Sequence, residues 1–162
     1  MEDFNAYVAI YKEQLQKGDI LIAYNGLVKF VMQLRTNCIK ELPNTYVFGG
    51  ILHGYLDYTY FYFTNSFLKS KKLKLGLVLN HMDMRFEVWL LGNTLPIQKK
   101  YWELLKDSEW GKQTKEMPTY AILEIPIVTS PDFNQPKALM KHIQDRMLII
   151  SEEVIAAIEA LN

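Results

Sequence analysis

Among 162 residues there is one cysteine, Cys38. That excludes an intramolecular disulfide and leaves a thiolate zinc site short of ligands. Charge of one sign is missing too: 18 Lys+Arg stand against 18 Asp+Glu. A protein that grips nucleic acid by neutralising phosphates carries a basic surplus, so the balance argues against that class of partner. The densest basic run, Lys69-Ser70-Lys71-Lys72-Leu73-Lys74, is short and reads as a solvated turn. No uncharged apolar stretch approaches the ~18 residues that would span a bilayer, so no membrane segment is expected. The opening residues Met1-Glu2-Asp3-Phe4-Asn5 are acidic and lack a basic leader pattern, which makes the cytoplasm the expected location.

Several familiar chemistries are absent as motifs. His53, His81 and His142 are scattered, with no i, i+4 pair and no carboxylate-rich calcium loop, so neither a metal nor a cofactor is expected. Gly49-Gly50 and Gly54 form a loose cluster that suits turns and has no phosphate-cradling pattern. A serine nucleophile elbow is missing. Cys38 falls on an apolar helix face, where a buried structural thiol is expected.

What the sequence does have is apolar and aromatic material, 49% and 13% of residues, enough for a well-packed core in one domain spanning 1–162. Phe4, Tyr7, Val8, Tyr11 and Leu15 recur at spacings of three and four, predicting a helix over 3–17. Gly18 suits its end and Asp19 the cap of the next helix, over 20–42, with a short link that makes the two antiparallel neighbours. That second helix is apolar over a broad face (Ile20, Leu21, Tyr24, Leu27, Val31, Leu34), which predicts a central, buried element. Strands are expected over 46–51, interrupted at Gly49-Gly50, and over the aromatic run 55–63. Residues 73–80 and 85–91 both alternate around a polar reversal and predict a hairpin. Pro96 opens a helix over 95–107. A strand over 120–128 contains Pro126, which cannot donate to a ladder and therefore predicts an edge strand or a bulge. The final helix opens within 130–136 and runs to about residue 160. The fold expected is two-layer α+β: a mainly antiparallel sheet of four to five strands against two N-terminal helices and one long C-terminal helix.

Two constellations could carry function. Along the last helix, Met140, Ile143, Met147, Ile150, Val154, Ala157 and Leu161 keep a heptad spacing, which fits a homodimer seam. Leu148, Ile155 and Ile158 widen that stripe, which fits packing across the sheet instead. On the hairpin, Arg85, Glu87 and Trp89 project from one face together with Asn80 and Lys74. Asp57, read as lying inside the aromatic strand, is expected to pair with Arg85 or Arg35, because a strand carboxylate is costly to bury alone. Either this group is a buried ion pair that fixes strand register, or it lines a pocket. In the second case Trp89 and the tyrosines form walls, Gln98, Tyr101 and Trp102 a rim, and Arg85 with the carboxylates orients a small polar ligand.

The order helix, three strands, helix, strand is similar to the core of restriction-endonuclease-like nucleases. That likeness would imply a metal-holding Asp on the second core strand and Glu-x-Lys on the third. Here the third-strand stretch reads Glu87-Val88-Trp89, without the lysine, and Asp83 sits in the turn. A longer resemblance covers nearly the whole chain. The stretches Gly54-Tyr55-Leu56-Asp57-Tyr58-Thr59-Tyr60-Phe61, Leu73-Lys74-Leu75-Gly76-Leu77-Val78-Leu79-Asn80-His81, Arg85-Phe86-Glu87-Val88-Trp89-Leu90 and Gln98-Lys99-Lys100-Tyr101-Trp102 carry it. It resembles an uncharacterised bacterial family known only as a domain of unknown function. Membership would imply a stand-alone bacterial cytoplasmic protein and no assigned activity. The sequence thus leads to the expectation of a non-catalytic binding or interaction module for a small polar ligand or a protein partner. The alternatives are a hydrolase or nuclease-like enzyme with Glu87 and Asp57 as acid/base or metal groups, and a homodimer whose role is assembly.

Overall fold

The computed structural model describes residues 3–161; the reading of Met1 and Glu2 as lacking a leader pattern lies outside them. The first helix, α1, spans Phe4–Lys17, with the Asp3 carboxylate accepting from the Asn5 amide at 3.0 Å. Gly18 ends it at φ 87°, a left-handed position that glycine takes without a side-chain penalty, and its N–H bonds to the Leu15 carbonyl. The second helix, α2, spans Asp19–Glu41 and is capped by Gly18 itself. Asp19 is therefore the first helical residue rather than the cap expected, where its charge still complements the helix dipole.

Five strands follow in a meander: β1 Val47–His53, β2 Tyr58–Thr64, β3 Leu73–Asn80, β4 Arg85–Gly92 and β5 Leu123–Val128, ordered β1-β2-β3-β4-β5 with every neighbouring pair antiparallel. A short helix, α3 (Ser66–Ser70), links β2 to β3, and α4 (Leu95–Leu105) follows β4 with Thr94 accepting from the Ile97 amide. The long last helix, α5, spans Pro136–Glu159. The predicted hairpin forms with unbroken register from Leu73↔Gly92 to Asn80↔Arg85. Register shifts fall at Gly49-Gly50 in β1 and beside Pro126 in β5, and β5 is an edge strand, as its proline requires.

One face of the sheet carries the main core. Phe61, Phe63, Leu75, Leu77, Val88 and Leu90 point into it and meet α2 and α5. The apolar stripe of α5 (Met140, Ile143, Met147, Ile150, Val154) is buried there within its own chain, with Ala157 half-buried and Leu161 exposed. Cys38 is fully buried in the same core, and burial pushes its thiol up to about 12.

Only part of α2 is central. Its buried residues are Phe30, Val31, Leu34 and Cys38, all in its second half, whereas Ile20, Leu21 and Ile22 are exposed. The correction is one of length. At 1.5 Å per residue this 23-residue helix runs ~35 Å, longer than the ~27 Å of an eight-residue strand at ~3.4 Å per residue. Its first turns therefore overhang. Among the described residues no helix is long and apolar enough to cross a membrane.

Candidate functional site

The second face of the sheet carries its own small cluster. Val78, Trp89, Leu91 and Ala121 are buried there beneath the half-buried rings of Tyr58, Tyr60 and Tyr62. Pleating dictates this composition. In β2 the even-numbered tyrosines turn away from the main core while Thr59, Phe61 and Phe63 enter it. Register then sets three rows across the face: Tyr58, Asn80 and Arg85; Tyr60, Val78 and Glu87; Tyr62, Gly76, Trp89 and Glu124.

Glu87 lies at the centre of these rows and is fully buried. Its Oε2 accepts from Arg85 Nε at 2.6 Å and from Asn80 Nδ2 at 3.2 Å, and its Oε1 accepts from Trp89 Nε1 at 2.7 Å. A buried carboxylate is tolerated only when its oxygens are satisfied this fully. Asn80 also holds the turn, through Asp83: its Nδ2 reaches the Asp83 carboxylate at 3.2 Å and its Oδ1 takes the Asp83 amide at 3.1 Å. The bond to Glu87, aided by Asp83, raises the Arg85 pKa above its ordinary value.

Glu124, on the edge strand opposite Trp89, completes the group. Burial, with the Glu87 charge adding to it and Arg85 opposing, lifts its carboxyl to about 7. The guanidinium itself ion-pairs with Glu87 at 2.6 Å and Asp83 at 3.7 Å and reaches Glu124 only through longer-range charge. Above them Tyr58 meets the Trp89 ring edge-on at 4.9 Å and the Tyr120 ring at 6.5 Å. Burial raises the Tyr58 hydroxyl, and Glu124, Glu87 and Asp57 add to the rise. Lys74 sits 4.1 Å over the Tyr62 ring.

Of the residues expected in the site, Asn80, Arg85, Glu87 and Trp89 come together. Asp57, Arg35 and Tyr101 do not. Asp57 precedes β2 in a turn, where its Oδ1 accepts from the Tyr55 and Tyr58 amides at 2.7 Å each. It satisfies its own loop, an Asx-type arrangement, and needs no arginine. Arg35 points from α2 to the edge strand and donates to the Gly49 carbonyl. Tyr101 is buried in the main core, and Trp102 packs against that core as well. Gln98 is buried, donating to the Ala121 carbonyl at 3.2 Å. Glu124 escaped the sequence reading, although its place between Leu123 and Ile125 in an alternating strand was a usable signal.

Among the described residues no three His, Cys, Asp or Glu side chains gather into a group that could hold a metal ion. In the stretch Glu87-Val88-Trp89 the position two beyond the glutamate carries an indole that occupies a carboxylate oxygen. Compared with known proteins, residues 4–158 match the family described as a domain of unknown function, DUF7000. The chain belongs to that family. The match runs from the start of α1 to the last turn of α5, so all five strands and every site residue named above fall within the DUF7000 domain. No curated protein and no solved structure matches the chain.

Proposed function

We propose that this DUF7000 chain is a non-catalytic binding module whose tyrosine-lined sheet face takes a small polar ligand carrying a positive charge. The observation that supports this most is the locking of Glu87 by three donors beneath half-buried tyrosines, with Glu124 opposite Trp89 on the next strand and in no ion pair among the described residues, while Arg85 is taken up by Glu87 and Asp83. Trp89 is 5% exposed and Glu87 is fully buried, so they form the floor. The ligand meets Tyr58, Tyr60, Tyr120 and Glu124. Aromatic faces and a carboxylate together favour an ammonium or guanidinium group, which adds the missing positive charge and lets Glu124 ionise. The reading includes a bacterial, cytoplasmic setting, supported by the likeness of residues 54–102 to a bacterial family and by the uncrosslinked, buried Cys38.

A second reading, a hydrolytic enzyme, is favoured by Glu124 itself, since a carboxyl held at about 7 suits a general acid. Against it weighs the full occupancy of the Glu87 oxygens, which removes that carboxylate as the second catalytic group. The test is NMR titration with butylammonium, tetramethylammonium, butanol and butyrate. The two cations are expected to perturb the Tyr58 and Tyr60 ring signals, and Tyr58→Ala is expected to remove the effect. Equal perturbation by butyrate, or none by any probe, would overturn the reading.

A further inference from the structure

We infer that the overhanging helical arm is a homodimer interface, in which α1 of each copy packs against the first half of α2 of the other. Among the described residues of α1 none is buried. Phe4 is 73% exposed, and Tyr7, Val8 and Tyr11, which share its stripe, are exposed as well. Across the Gly18 link the surface continues through Ile20, Leu21 and Ile22, the last 75% exposed. A helix of 14 residues is marginal in water on its own propensity and ordinarily draws its stability from packing an apolar face.

Beside this ridge lies a groove of 600 Å³ lined by Ile22, Gly26, Leu27, Phe30, Met84 and Phe133, with Lys29 and Gln33 at its edge. Gly26 is the informative residue. Glycine inside a helix costs about 1 kcal/mol relative to alanine, and here a Cβ would meet nothing within 4 Å. Nothing inside the chain calls for glycine. The close approach of another backbone does.

Three features point to a second copy as the occupant. Ridge and groove are on the same chain, so a two-fold pairing satisfies both at once and closes. From Phe4 to Tyr11 there is no charged residue, matching the apolar groove, and the net charge of zero sets no repulsion between copies. The α1 stripe of Phe4, Tyr7, Val8 and Tyr11 alone leaves on the order of 500 Å² in water, with aromatic side chains at ~150–250 Å² each, which is more than half of the ~800 Å² per partner of a stable interface before the groove is counted. The heptad stripe of α5, by contrast, is already used by the sheet.

The test is sedimentation equilibrium of the full chain at micromolar concentration, with and without lipid vesicles. The expected mass is twice 19.0 kDa. Gly26→Gln fills the groove with a good helix former, and Phe4→Glu places a favourable charge in the first turn of α1, so both variants are expected to keep the wild-type circular dichroism. Each should weaken association at least ~30-fold, the effect of losing an interface hot spot. A wild-type chain of 19.0 kDa, a dimer indifferent to both variants, or a monomer that sediments with vesicles would each overturn the proposal.

Discussion

Trp89 Nε1 donates to Glu87 Oε1 at 2.7 Å, tying an indole to a fully buried carboxylate two residues away on the same strand. With Arg85 and Asn80 on the other oxygen, this bond turns an ionised group into a fixed part of the sheet. Glu87→Gln puts an NH₂ group where a donor now points and removes the charge that Arg85 neutralises. A loss of about 2–4 kcal/mol is expected in urea unfolding, as for other broken buried pairs. Trp89→Phe keeps the ring and leaves one oxygen unpaired, for a loss of about 1–3 kcal/mol. Variants as stable as the wild type would show that the network carries no stability.

Glu124 gives a pH signature with a definite sign. Its carboxyl rises from the ordinary 4.5 to about 7 on folding, so the folded chain holds the proton more tightly than the unfolded one. That contribution is fully present below pH 4.5 and is lost as pH rises through about 7. Glu124→Gln cannot ionise. Its stability relative to the wild type should climb across that window and level off above it, by about 1–2 kcal/mol once the partial solvent exposure of the group is discounted. Thermal unfolding of both proteins from pH 4 to pH 8 reads this directly. Parallel curves would remove Glu124 from the buried pair.

Cys38 should be chemically silent in the folded chain. Burial pushes its thiol up to about 12, and the side chain is fully enclosed between α2 and the core. Labelling by a thiol reagent at pH 8 is expected to follow unfolding, with complete reaction only in denaturant. Fast stoichiometric labelling of native protein would contradict the packing of α2.

Much of this architecture can be read from the chain, and the exceptions have physical causes. The hairpin 73–91 is legible because its alternation has one solution, and the polar trio Arg85, Glu87, Trp89 follows from it with Asn80 added by register. Asp57 misleads because an aspartate before a strand and one inside it look alike, and only the turn amides of Tyr55 and Tyr58 distinguish them. Glu124 follows from the same kind of alternation, between buried Leu123 and Ile125, but only its pairing opposite Trp89 shows that it joins the Glu87 group. The stripe of α1 is plain in the sequence, but periodicity reports that a face is apolar and says nothing of what covers it.

The binding reading predicts that ligand and proton compete through Glu124. The most direct measurement is the pH titration of the Glu124 side-chain carboxyl carbon by NMR, alone and with saturating butylammonium. In the free chain it should titrate at about 7. With the cation bound, the midpoint should move well down toward the ordinary carboxylate range, and affinity should rise with pH over the same interval. A midpoint unchanged by the cation, or one already near 4.5 in the free chain, would contradict the account.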